Sequence, residues 1–299
     1  MRTLVSAFFL FVAAIIPASA QQVASEDLKF AVGAVERRAI LVNAAPAGQM
    51  RPVVLVIHGG RGSAEQQRER TGFDAVALRE GFTVVYPQGT ALSMGGHAWN
   101  TGYLLRKQVG EADDIAYFDA LIDLLIRQHR VDPKRVYMTG GSNGAMMMYV
   151  YAVKRAEKLA AIAPVVGAMF TFDEKPSVPL PILMINGAKD NEVPLEGGMS
   201  RNRMVSGAQG APFKSLSDTI DFWVKANRSE PKATVVVTGG YTTTTHAATP
   251  GGAPTVSIVD SAGGHGWPGT QSNRAENTPI QSFKGSEKVW AFLKDHRRP

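Results

Sequence analysis

Cysteine is absent from the 299 residues. That absence rules out disulfides, a cysteine nucleophile and thiolate metal sites, so the core alone must hold the fold. Metal and nucleotide signatures are missing as well: there is no H-E-x-x-H and no G-x-x-x-x-G-K. No cofactor and no metal are expected. Basic residues outnumber acidic ones, 32 against 26, but they are scattered, with the densest cluster at His296-Arg297-Arg298. Scattered cations form a solvated surface rather than a nucleic-acid face, so no nucleic-acid partner is expected. Beyond the first twenty residues no run is long and apolar enough to span a bilayer, and no stable membrane anchor is expected.

The first twenty residues read as a secretory leader. Arg2 supplies a charged start, Leu4 to Ile16 is apolar, and Pro17-Ala18-Ser19-Ala20 ends in an A-x-A pattern. Cleavage is expected near Ala20, giving a secreted or periplasmic protein. Residues 21–299 read as one domain, without a repeat or a separating linker.

The chain alternates strand and helix patterns. Lys29–Val32 and Arg38–Val42 read as an opening hairpin. Val53–Ile57 is a continuous, mostly β-branched run, the pattern of a strand buried on both faces. A helix is expected over Ala64–Glu80, stopped by Gly81, and a strand over Phe82–Tyr86. Residues 88–112 read as a long Gly-rich loop. Asp113 or Asp114 caps the next helix, whose apolar residues Ile115, Phe118, Leu121, Ile122, Leu125 and Ile126 share one face. Strands follow at 135–138, 161–163, 182–186, 234–237 and 255–259. The remaining helices are expected from Ala145, over Ser217–Asn227, and from an N-cap at Ser286 to His296. Residues 196–213 read as a surface excursion and 242–254 as a mobile, low-complexity loop. The alternation implies a mostly parallel sheet with helices on both faces. Catalytic groups then belong at the carboxyl ends of its strands.

One stretch organises the rest: Gly140-Gly141-Ser142-Asn143-Gly144. It matches G-x-S-x-G between a short apolar strand and a helical run, the setting of a nucleophile elbow. Ser142 is the candidate nucleophile. A serine hydroxyl needs a base, and the base needs an orienting acid. Of six histidines, His265 sits in a glycine-rich turn just past the last strand and is the candidate base. Asp190, four residues past the strand 182–186, is the candidate acid, with Glu192 as fallback. Asp260 stands too near His265 in the chain to be first choice. The backbone N–H of Asn143 and that of Gly60 or Arg61 are candidates for the oxyanion hole. Trp99 and Trp267 could wall a substrate pocket or simply pack in the core.

These stretches carry a family resemblance. Leu55–Gly60, Val85–Gly89, Trp99-Asn100, Asp113–Ile115, Asp132–Gly144, Asp190–Pro194 and Gly264–Gly269 together resemble the secreted esterases grouped with polyhydroxybutyrate depolymerases, feruloyl esterases and acetyl xylan esterases. The resemblance runs from about residue 30 to 295. It implies a three-layer α/β-hydrolase fold, the triad Ser142, Asp190 and His265, and a serine carboxylesterase acting on a small or oligomeric ester. Many relatives carry disulfides and this chain has none. Granule-degrading relatives usually append a binding domain, which is not seen after the catalytic domain here, and that favours a soluble ester. An acyltransferase on the same fold and a non-catalytic binding module are the alternative readings.

Overall fold

The computed structural model describes residues 24–43, 48–171, 173–271 and 278–299. The leader and its cleavage site at Ala20 lie outside the described residues.

The chain opens on the antiparallel hairpin β1 (Ser25–Val32) and β2 (Val35–Asn43), followed by β3 (Arg51–Ile57). The expected helix over 64–80 is two helices, α1 (Ala64–Thr71) and α2 (Phe73–Glu80), because Gly72 between them adopts φ 60°. A left-handed residue ends one helix, and only glycine takes that conformation without strain. β4 (Thr83–Pro87) comes next. The stretch read as a loop over 88–112 holds a small hairpin, β5 (Thr90–Ala91) with β6 (His97–Ala98), and the short helix α3 (Arg106–Val109). α4 (Asp114–Gln128) is capped by Asp113, whose side chain accepts from the Ala116 N–H. Asp114 is buried instead, paired with Arg37 at 2.8 Å.

β7 (Val131–Gly141) leads into α5 (Asn143–Arg155), then β8 (Ala161–Val165) and β9 (Ile182–Gly187). The excursion at 196–213 contains the short helix α6 (Arg203–Ala208), and α7 (Leu216–Asn227) follows, capped by Ser215. β10 (Thr234–Thr238), β11 (Tyr241–His246) and β12 (Thr255–Asp260) complete the sheet, and α8 (Gly285–Leu293) closes the chain. Two expectations are corrected here. The first five residues of the presumed loop 242–254 belong to β11 (Tyr241–His246), held between β10 and β12. Ser286 is not the cap of α8: Lys284 stands there without a side-chain bond, and the Ser286 hydroxyl donates to Thr71 O at 2.5 Å.

Ten strands form one sheet in the order β1-β2-β4-β3-β7-β8-β9-β12-β11-β10. The six central strands, β4 to β12 in that order, run parallel, and antiparallel pairs flank them. The β3 run is apolar throughout because its side chains alternate between two cores. Val53, Leu55 and Ile57 face the core that also takes residues from α4, α5 and α7. Val54 and Val56 face the other, shared with α1, α2 and α8. Helices on both faces of a mostly parallel sheet make a three-layer α/β architecture.

Candidate active site

The sharpest turn in the chain joins β7 to α5. Ser142 occupies it with φ 56° and ψ −125°. A side-chain-bearing residue held there stores of the order of 1–3 kcal/mol of strain. The surroundings enforce it. The Ser142 N–H donates to Val165 O at 3.1 Å, and Ser142 O accepts from Met146 N at 2.9 Å. A Cβ on Gly144 would stand 2.5 Å from His58 O, and one on Gly140 would run into Ile57 O. Both glycines are therefore demanded by the close passage of the β3 end past the turn.

Asp190 is buried on the turn after β9. Its Oδ1 accepts from the N–H groups of Glu192 and Val193, each at 2.8 Å. Its Oδ2 lies 2.8 Å from His265 Nδ1. One carboxylate oxygen is thus fixed by backbone and the other by the imidazole. The two loops lie backbone to backbone: Lys189 N donates to Gly263 O at 2.8 Å, and a Cβ on Gly187 would strike Gly263. Asp260 organises the histidine's turn rather than its ring, with Oδ1 accepting from Ala262 N at 3.0 Å and Gly263 N at 2.7 Å. Glu192 meets the opposite ring nitrogen, with Oε2 3.5 Å from Nε2. With Nδ1 held by Asp190, Nε2 is the nitrogen left for proton transfer.

Ser142 and His265 line one cleft of about 660 Å³. Gly60, Arg61 and Asn143 line it too. The N–H groups of Gly60 and Arg61 have no acceptor among the described residues. That of Asn143, first residue of α5, has none within the helix. Gly59 passes close to the serine: a Cβ there would sit 3.3 Å from Ser142 Cβ. Arg61 takes φ 63°, which bends the turn back toward the β5–β6 hairpin.

The two tryptophans differ. Trp99 is not a pocket wall. It is fully buried, its indole N–H donates to His58 O at 2.8 Å, and its backbone N–H donates to the Asn143 side chain at 2.8 Å. It braces the elbow from behind. Trp267 does line the cleft, though it is 4% exposed, its ring meets Phe73 edge-on at 6.0 Å between centroids, and its N–H reaches Ser286 Oγ at 3.3 Å.

His58 carries a role that its place at the end of β3 did not announce. Its Nδ1 lies 2.8 Å from Gly59 O, and its Nε2 accepts from Gly89 N at 3.0 Å. The ring ties the Gly59–Gly62 turn to the end of β4. Burial pushes its pKa down from 6.5 to about 4. The neutral form is therefore the folded one, and the unfolded chain binds the extra proton between those values. Stability should rise with pH across that window, and acidification from 6.5 to 4 should remove roughly 3 kcal/mol. Denaturant midpoints measured against pH should show this slope, flattened in His58→Gln; an unchanged slope in the variant would remove His58 as its source.

The chain matches the family model described as Esterase PHB depolymerase over residues 38–239, more than half its length. That span includes Ser142 and Asp190 and stops short of His265. An esterase-named protein of Nocardia uniformis subsp. tsuyamanensis, NocK, is 29% identical over 249 residues, covering 78% of this chain and 71% of that one. Feruloyl esterase B of Piromyces equi is 32% identical over 192 residues, covering 60% of this chain. Poly(3-hydroxyalkanoate) depolymerase C of Paucimonas lemoignei is 34% identical over 122 residues, covering 40%. The aligned stretches span only 34% and 28% of those two proteins. Among solved structures, an acetyl xylan esterase from Aspergillus awamori superposes with a TM-score of 0.62 at 13% identity, covering 91% of this chain and 99% of that one. At that identity the likeness bears on the fold alone. The sheet order, the strained serine at the end of β7 and the match across residues 38–239 converge: the chain is an α/β-hydrolase that belongs to the PHB depolymerase esterase family.

Proposed function

We propose that this protein is an exported serine carboxylesterase that cleaves short, soluble esters, with hydroxyalkanoate oligomers and feruloyl-type aryl esters within its range. The observation that supports this best is the fixed contact of Asp190 with His265 Nδ1 at 2.8 Å, on a ring that shares its cleft with Ser142. Ser142 Oγ attacks the ester carbonyl carbon while His265 Nε2 takes the hydroxyl proton. The carbonyl oxygen, now negative, is held by the N–H of Asn143 and one or both of those of Gly60 and Arg61. Collapse expels the alcohol, which leaves with the proton from Nε2. Water then attacks the acyl-enzyme, giving its proton to the same nitrogen, and the acid departs as Oγ is reprotonated. Asp190 keeps the useful tautomer and stabilises the imidazolium in each half.

Several relatives are named for feruloyl, acetylxylan and hydroxyalkanoate esters. A cleft of about 660 Å³ falls in the range that encloses a small molecule. A panel of p-nitrophenyl acetate and butyrate, methyl ferulate, acetylated xylan, 3-hydroxybutyrate oligomers and polymer granules tests the reading. Turnover of the short soluble esters is expected, with little clearing of granules. Rapid granule clearance beside inertness toward the soluble esters would overturn it. Export through the leader is tested by N-terminal sequencing of protein recovered outside the cytoplasm, which should begin at Gln21.

A further inference from the structure

The cleft has one strongly donor-rich wall. It is built by the turn after β3 and by α1, where Gln66, Gln67 and Arg70 stand on one helical face. Arg61 precedes them on the turn. Two arginines that flank lining residues are neutralised: Arg68 pairs with Asp74 at 2.6 Å and Arg106 with Glu111 at 2.5 Å. Arg61 and Arg70 are not. Neither has an acidic partner among the described residues, and the Arg61 guanidinium donates to Met204 Sδ at 4.0 Å. Between them Gln67 is 4% exposed, and its Nε2 is buried without an acceptor. Among the described lining residues the one acidic side chain is Glu192, which stands at His265 Nε2 and not on this wall.

Two guanidinium groups with no acidic partner among the described residues leave a surplus of hydrogen-bond donors on this wall, while the Gln67 amide nitrogen is buried behind them. A guanidinium presents five N–H groups in a planar fork that matches a carboxylate. We infer that the cleft selects esters bearing a second, ionised carboxylate away from the scissile bond, held by Arg61 and Arg70. This rests on the esterase reading above and adds to it the charge of the substrate. The carboxylate can belong to the acyl part, as in a half-ester of a dicarboxylic acid. It can equally belong to the alcohol part, as in an acylated hydroxy acid.

Matched pairs separate these. Monomethyl adipate against dimethyl adipate tests the acyl side. 4-Acetoxybutanoate against its methyl ester, followed by acetate release, tests the alcohol side. In at least one pair kcat/KM should favour the anion by about tenfold, carried mainly by KM. The preference should shrink in about 0.5 M sodium chloride, where charges are screened beyond a few ångströms. It should fall toward one in Arg70→Gln, recover in part in Arg70→Lys, and persist in Arg127→Gln, which removes the same charge from an exposed site on α4. Equal rates within both pairs, with p-nitrophenyl acetate still cleaved, would overturn the inference and leave the esterase reading standing. Inertness toward every ester would count against the esterase reading. In that event calorimetry of the Ser142→Ala protein with monomethyl and dimethyl adipate decides the carboxylate question: tighter binding of the anion sustains it, and equal or absent binding of both sinks it.

Discussion

Ser142→Ala is expected to lower kcat/KM for p-nitrophenyl acetate by roughly five to six orders of magnitude, leaving only what binding and the oxyanion donors supply. The fold should hardly notice. Alanine keeps the Cβ that Ser142 already accommodates at φ 56°, and the backbone bonds from its N–H to Val165 O and from Met146 N–H to its carbonyl remain. A change in unfolding free energy within about 1 kcal/mol is expected. Turnover and chemical denaturation of the same preparation check both halves. Substantial hydrolysis by a folded Ser142→Ala protein would end the acyl-enzyme mechanism. Loss of activity together with loss of the fold would show that the turn, not the hydroxyl, had been damaged, and labelling of the parent protein at Ser142 by a fluorophosphonate would then carry the test.

The second large effect belongs to Asp190. Asp190→Asn should cost about four orders of magnitude in kcat, because an amide can present an N–H where the imidazole needs an acceptor and so favour the wrong tautomer. The Glu192 and Val193 N–H groups would still find an oxygen on the amide, so the turn after β9 should survive. Glu192→Gln is the informative comparison. Its carboxylate lies 3.5 Å from Nε2, the nitrogen that must exchange protons, and not from Nδ1. Its loss should alter turnover by less than about tenfold. If the two variants were equally crippled, the division of labour between the carboxylates would be wrong. If Asp190→Asn stayed active while Glu192→Gln did not, their roles would be reversed.

The parts that could be read from the chain are those whose physics is local. The β3 and β9 runs announce strands covered on both faces, because each successive residue must enter one of two cores. The elbow is legible because the strand, its glycines and the serine lie within a dozen residues. Where local pattern and tertiary demand diverge, reading failed. The threonine repeat at 242–245 looks like low-complexity loop, yet β-branched residues suit the pleated ladder that β12 offers them. The helix over 64–80 has no proline to break it, but Gly72 within it takes a left-handed conformation that ends one helix and starts the next. For Trp99 the chain leaves pocket wall and core packing equally open, and its hydrogen bonds to His58 O and the Asn143 side chain place it in the core.

The sequence by itself determined the kind of protein this is: a doubly covered parallel sheet, an activated-serine turn, and a short list of residues able to serve it. Tertiary structure alone decided which carboxylate meets which ring nitrogen. Asp190 and His265 are 75 residues apart. It also decided that Asp260 shapes the turn, that His58 is a neutral brace, and that Arg61 and Arg70 line the cleft with no acidic partner among the described residues. The reason is physical. Periodicity and turn chemistry are set between near neighbours, whereas a hydrogen bond across two strand ends depends on where the whole sheet brings its loops.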